Sequence, residues 1–320
     1  MNEKKETERV KLPVSRSTRA FIRHARSAEG YSFFDFLHGY VYARWPYLYI
    51  GIGVGEHPVA RFYASLRSFF DRLLPGSPTS ETNSGSMADT YHGKVVTTES
   101  ARQLLSIREP VELRNLEQII PYPVAKDIIM VDPDHIAVME CPCRSARPDP
   151  CMPLDVCLIV GEPFASFIIE HHPERARWID AEEGMDILQE EAERGHVHHA
   201  FFKDAMLGRF YAICNCCPCC CGAMQSVRNG TPMISSSGYL SVVDVQICSS
   251  CGLCEEICPF EAIDYDGEHP EILFAKCMGC GVCVHHCPEG ALQLVPEPEK
   301  GIPLEMHDLL GASGLLSSVD

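Results

Sequence analysis

The sequence predicts an α+β chain in three parts: a mainly helical N-terminal domain, a cysteine-rich middle segment and a C-terminal module built on a tandem repeat. Three observations carry this. Cysteine is absent from residues 1–140, occurs ten times between 141 and 221, and occurs eight times between 248 and 287. Between 17 and 75 the apolar residues fall in blocks such as Phe33-Phe34-Asp35-Phe36-Leu37 and Phe62-Tyr63-Ala64-Ser65-Leu66, whose spacing favours helices. Finally, Cys248, Cys251, Cys254 and Cys258 recur, each shifted by 29 positions, as Cys277, Cys280, Cys283 and Cys287.

Taken in order, residues 1–16 are polar and read as a tail. Residues 17–135 form the helical domain, interrupted by the loop-forming run from Pro75 to Ser86. Within it Glu99–Ile107 and Pro123–Val131 read as short helices. The middle segment, 136–235, opens with a strand over Ile136–Glu140. It also contains a helix over Ala181–Arg194, where Asp180 and Glu183 make a cap pair, Met185 and Leu188 an apolar stripe, and Gly195 a stop. The stretch Asn229–Gly238 separates it from the module at 236–300, and 301–320 is a C-terminal tail. Each repeat ends in Cys-Pro and continues into a helix-then-strand pattern, Phe260-Glu-Ala-Ile-Asp-Tyr and Glu289-Gly-Ala-Leu-Gln-Leu-Val.

Composition narrows the function. At 320 residues and 46% hydrophobic, the chain is long enough for two cores and too apolar for bulk disorder. A formal charge of −17 repels a phosphate backbone, which argues against nucleic acid and suits basic protein partners. The charged start, Met1 to Arg9, lacks the apolar run of a signal peptide, and no stretch approaches the roughly 20 apolar residues of a membrane span. The aromatic-rich 31–50 stretch leaves a peripheral membrane contact open. Without an export signal, the eighteen cysteines read as metal ligands in a reducing compartment, cytoplasm by default, rather than as disulfides.

The runs Cys248-Ser-Ser-Cys251-Gly-Leu-Cys254-Glu-Glu-Ile-Cys258-Pro259 and Cys277-Met-Gly-Cys280-Gly-Val-Cys283-Val-His-His-Cys287-Pro288 match the iron–sulfur pattern C-x2-C-x2-C-x3-C-P. A four-iron cubane needs one thiolate per iron. Three cysteines two residues apart can curl around one face, and the fourth must come from elsewhere; the trailing cysteine is expected to begin a helix pointing toward the other cluster. One [4Fe–4S] cluster then takes Cys248, Cys251, Cys254 and Cys287, and the other takes Cys277, Cys280, Cys283 and Cys258. Gly252, Gly279 and Gly281 suit the tight loops such a site needs. Zinc knuckles use pairs of Cys-x-x-Cys and would leave cysteines of each run idle. His285-His286 can tune a potential or face solvent, and the latter is favoured. Over residues 246–292 the chain resembles the two-cluster bacterial ferredoxin family. That resemblance implies a ferredoxin-like α+β sandwich with pseudo-twofold symmetry, whose task is electron transfer.

The middle cysteines are Cys141, Cys143, Cys151, Cys157, Cys214, Cys216, Cys217, Cys219, Cys220 and Cys221. Six cysteines in eight positions are hard to explain as core packing, so metal binding is expected, with packed thiols or dithiol chemistry as the plainer reading. They can supply two further cubanes with two cysteines spare, or one cluster with six unassigned. Adjacent residues of an extended chain point opposite ways, so Cys216 and Cys217 can serve different sites, as can Cys220 and Cys221. Cys220-Cys221-Gly222 resembles the cysteine motif of heterodisulfide-reductase-type subunits. The succession C-x-C-R, C-N-C-C-x-C-C-C and a two-cluster domain is similar to a family of anaerobe-type proteins, which implies iron–sulfur binding and names no substrate.

His171, His172, His196, His198 and His199 flank the predicted helix at 181–194. They can ligate iron or relay protons, and surface or hydrogen-bonded roles are the commoner case; His196 and His199 would share a helix face at i, i+3. Arg144 and Arg147 can neutralise cluster charge or make ordinary salt bridges. Gly51-Ile-Gly53-Val-Gly55 lacks the third glycine of the dinucleotide fingerprint. The expected function is an electron-transfer protein or subunit relaying single electrons through two [4Fe–4S] clusters and one or two additional iron–sulfur clusters. It would serve redox protein partners within a larger oxidoreductase complex. The alternatives are an oxidoreductase with a catalytic cluster in 141–221, fed by the ferredoxin module, and a zinc-dependent interaction module.

Overall fold

The computed structural model describes residues 14–60, 91–122 and 126–313. The tail through residue 13, the Phe62–Leu66 block, the Pro75–Ser86 run, residues 123–125 and the last seven residues lie outside the described residues.

The chain opens with α1 (Arg16–Ser27), α2 (Phe33–Arg44) and α3 (Pro46–Gly53). Local chemistry sets their limits. The Ser15 side chain accepts the Thr18 N–H, Ser32 and Asp35 form a reciprocal capping box, and Pro46 starts α3 where its missing N–H costs nothing. There follow β1 (Tyr91–Val96), α4 (Thr98–Leu105), β2 (Val111–Leu113), β3 (Ile128–Glu140), α5 (Pro142–Ser145), β4 (Asp155–Glu162) and α6 (Phe164–His171). Next come β5 (Ala176–Ile179), α7 (Ala181–Glu193), β6 (Val197–Lys203), β7 (Arg209–Cys216), α8 (Gly222–Arg228) and β8 (Ile234–Ser235). The C-terminal part is β9 (Tyr239–Val243), α9 (Leu253–Ile257), β10 (Ile263–Tyr265), β11 (Pro270–Ile272), α10 (Val282–His286), β12 (Leu292–Pro296) and α11 (Met306–Ala312).

One eight-stranded sheet organises everything before β9. Its order is β2-β3-β4-β7-β6-β1-β8, with β5 also beside β3, and only the β1–β8 pair is parallel. Strand residues alternate between two cores, as a period of two requires. Met139, Cys157, Ile159, Phe201 and Cys216 face a core covered by α1 and α6, where Phe21 meets Phe164 and Phe167 edge-on. Val138, Leu158, Val160, Ala200 and Phe202 face the second, with Leu104 of α4 and Leu188 of α7. No helix among the described residues is long and apolar enough to cross a membrane.

The mixed helix and strand content and the C-terminal module fit the α+β expectation. Several details differ. The 17–135 region is helical through residue 53, but β1, β2 and the first half of β3 belong to the same sheet as the cysteine-rich segment. The short helix expected over 123–131 is, from residue 128, the start of β3. Residues 197–203 are a strand buried along its whole length, so His196 and His199 do not share a helix face. The expected helix at 181–194 is α7, its Asp180 side chain accepting the Glu183 N–H and Gly195 following at φ +75°.

Candidate metal centre

The C-terminal module contains two pairs of antiparallel strands, β9 with β12 and β10 with β11. Around one hollow stand Cys248, Cys251, Cys254 and Cys287; around a second stand Cys258, Cys277, Cys280 and Cys283. The structure thus brings each trailing cysteine to the three leading cysteines of the other repeat. It does so differently from the expectation. The helices α9 and α10 each contain the third cysteine of their run, and the trailing cysteine terminates its helix instead of beginning one. Gly252 (φ +74°) and Gly281 (φ +83°) turn the chain into these helices. The Cys258 sulfur accepts the Ala262 N–H at 3.3 Å and the Cys287 sulfur accepts the Ala291 N–H at 3.2 Å, equivalent bonds in the two repeats. Such bonds orient a sulfur that is to ligate a metal.

The hollows differ in exposure. Cys251 is exposed and Cys248 and Cys254 are half-buried, whereas Cys277 and Cys283 are buried. Met278 and Cys280 pack against the same apolar cluster as Cys141, Cys157, Cys216 and Cys221. One hollow therefore faces outward and the other faces the middle segment. His285 is exposed; the His286 ring bridges the Val282 and Glu193 carbonyls at 2.9 and 3.0 Å.

The ten middle cysteines divide into six and four. Strand pairing sets Cys157 opposite Cys214, and further contacts link Cys157 to Cys141, Cys141 to Cys143, Cys143 to Cys221 and Cys221 to Cys216. Cys151, Cys217, Cys219 and Cys220 make a separate group whose sulfurs all lie within 4.8 Å of one another. Adjacent Cys216 and Cys217 thus fall in different groups, as do Cys220 and Cys221. In the group of six, the hydrogen bond to Cys143 and then burial push the Cys141 thiol up to about 12, and the sulfurs of Cys141 and Cys214 push Cys157 well above its ordinary value. Crowded thiols resist ionising together, so bringing all six to thiolate needs cationic charge among them.

These six sulfurs border a cavity of about 110 Å³, against about 20 Å³ in each hollow of the C-terminal module. Its far wall is formed by Tyr42 of α2 and Tyr49 and Ile50 of α3, from outside the cysteine-rich segment, together with Lys203 of β6 and Tyr211 of β7 from within it. The Tyr42 and Tyr211 hydroxyls are 2.8 Å apart, and Tyr49 reaches His38 at 2.8 Å. The Lys203 ammonium lies 4.8 Å from the Tyr42 ring centre, and burial lowers its pKa to about 8. The sequence left the 31–50 aromatics open to a peripheral membrane contact and did not single out Lys203. A lysine directly after Ala200-Phe201-Phe202 was the available signal. The Gly51–Gly55 triplet sits at the end of α3, where Val54 also lines this chamber.

Arg144 is 1% exposed and donates to Glu191, to the Pro153 carbonyl, to the Asn215 carbonyl at 3.0 Å, and meets His196 Nδ1 at 3.1 Å. It pins the Cys141–Cys143 loop to α7 and to β7 between Cys214 and Cys216. Arg147 instead reaches Glu56 and the Cys220 carbonyl. The other histidines have assorted neighbours: His171 with Thr18, His172 with the Ala43 carbonyl, and His198 with Asn215. His199 sits opposite Cys214 on the neighbouring strand.

A family model described as a 4Fe-4S dicluster domain matches residues 247–292. This stretch is a ferredoxin-type domain. It accounts for the two cysteine-ringed hollows as sites of the kind that hold [4Fe–4S] clusters. No curated protein matches the chain.

Proposed function

We propose that the chain relays single electrons inward from a redox protein partner, through two [4Fe–4S] clusters, to a third iron–sulfur centre held by cysteines of the six-membered group. Cys248, Cys251, Cys254 and Cys287 ligate the outer cluster, and Cys277, Cys280, Cys283 and Cys258 the inner one. The observation that carries this is the shared apolar packing of Cys280 and Met278 with Cys141, Cys157, Cys216 and Cys221, which joins the inner hollow and the chamber through one apolar cluster. Entry at the outer cluster is supported by exposed Cys251, Val245 and Ile247. The stretch 244–271 carries eight acidic residues and no lysine or arginine, which suits a basic docking face on the partner.

Six sulfurs exceed the four a cubane takes, and the chamber is larger than the ferredoxin hollows. Those two observations favour a second reading, in which the third centre keeps an open position and turns over a substrate beside Lys203 and Tyr42. EPR-monitored redox titration of anaerobic holoprotein tests both. Iron on the order of twelve atoms with acid-labile sulfide supports a third cluster. Iron near eight removes it. A third signal perturbed by added small-molecule ligands would favour turnover over relay. In Cys258→Ala, loss of the inner cluster signal is expected; loss of the outer signal instead would refute the crossed ligation.

A further inference from the structure

We infer that Cys151, Cys217, Cys219 and Cys220 form a mononuclear tetrahedral site for one zinc ion, not part of a further iron–sulfur cluster. The distances carry it. With a Zn–S bond of about 2.3 Å, the sulfurs of a tetrahedral site lie roughly 3.8 Å apart. Here all four lie within 4.8 Å of one another, with Cys219 and Cys220 at 3.7 Å and Cys151 and Cys219 at 2.9 Å. A cubane interposes irons and sulfides between its ligands and spreads the cysteine sulfurs wider than one metal ion does. The same chain supplies the comparison. Among the described residues this is the one group of three or more Cys, His, Asp or Glu ligand atoms so close; neither ferredoxin hollow nor the six-cysteine chamber is as tight.

Four thiolates also close a zinc site completely, as structural zinc requires. Three come from the turn Cys217-Pro-Cys219-Cys220, and the fourth arrives from the loop before β4. The surroundings suit the net charge of two minus that zinc and four thiolates leave. Arg147 holds the Cys220 carbonyl at 3.2 Å, Arg228 the Pro218 carbonyl at 3.2 Å, and Gln225 the Cys219 carbonyl at 2.7 Å. Polar partners of this kind orient ligating residues. Zinc is redox-silent, so its work is mechanical: it clamps the turn from which Cys216 and Cys221 diverge toward the chamber. Cys217 also lines the chamber, so the site and the chamber share one wall.

The test uses iron-replete, anaerobically purified full-length protein. One zinc per chain is expected, with four sulfur neighbours at about 2.3 Å by zinc-edge X-ray absorption. Cys219→Ser with Cys220→Ser should lose the zinc while acid-labile sulfide stays unchanged. Zinc well below one per chain, a first shell containing nitrogen or oxygen, or sulfide falling with the substitutions would each overturn the proposal. The absorption measurement needs no variant, so a misfolded double substitution leaves it decisive. Loss of the third cluster with zinc intact would refute the relay without touching this site.

Discussion

Replacing Arg144 with methionine tests whether a buried ion pair holds the chamber together. Arg144 is 1% exposed and Glu191 is fully buried, so removing the guanidinium strands a carboxylate away from water and frees the Pro153 and Asn215 carbonyls. Breaking such a pair costs about 3–5 kcal/mol. Arg194 still donates to the other Glu191 oxygen at 3.1 Å, which argues for the lower figure. At roughly 2–4 °C per kcal/mol, the melting temperature of the anaerobic holoprotein should fall by on the order of 10 °C. The pH dependence makes the reasoning sharper. Burial alone would raise the Glu191 carboxyl, but the His196 hydrogen bond and the Arg144 charge hold it below its ordinary value. Its contribution is therefore complete above the unfolded carboxylate pKa and is lost as pH falls through the depressed native value. In Arg144→Met burial prevails and the native pKa moves above the unfolded one, so ionisation opposes folding. The gap from wild type should be widest at neutral pH and close on acidification. Arg144→Met combined with Glu191→Met should recover most of the loss, since no uncompensated charge remains. Circular dichroism melts across pH 5 to 8 read all of this. A deficit that does not change with pH, or a double variant no better than the single, would refute the account.

Other perturbations follow from the same geometry. Phe21→Ala removes a fully buried ring packed edge-on against Phe36, Phe164 and Phe167, and should cost about 3–5 kcal/mol by chemical denaturation. Gly279→Ala puts a Cβ at φ +61° against the Tyr239 carbonyl and the Ser237 hydroxyl; the inner cluster signal should drop while the outer one persists in EPR spin counts. Ser237→Ala deletes a 2.7 Å bond to the Gly279 carbonyl and one to the Tyr239 N–H, with an expected loss of roughly 1–2 kcal/mol in the same denaturation assay.

What the sequence reveals here depends on how local the determining contacts are. The ferredoxin runs are legible because two or three residues separate their cysteines and the repeat declares the partner run. The opening helices are legible from the spacing of their apolar blocks. The sheet is not, because β4, β6 and β7 are buried on both faces and so show no alternation of apolar and polar residues. Val197-His-His-Ala-Phe-Phe-Lys203 carries no periodicity that separates strand from helix. The sorting of the middle cysteines was half legible. Alternation along the chain anticipated that Cys216 and Cys217 would diverge, but the grouping of Cys151 with Cys219 depends on a loop 68 positions away. Lys203 and Tyr42 meet only because α2 is laid across the sheet, a tertiary fact that no window of sequence contains.

The link between the two halves of the molecule has its own consequence. The β8 strand lies along β1, and the serines after it clasp the loop before α10: Ser237 N–H and Oγ reach the Met278 and Gly279 carbonyls. On the opposite flank His286 holds the end of α7. Hydrogen bonds at two places thus fasten the C-terminal module to the sheet and to α7. If electrons travel as proposed, thickening the solvent with glycerol should slow the arrival of an external donor and leave the internal hop at its original rate.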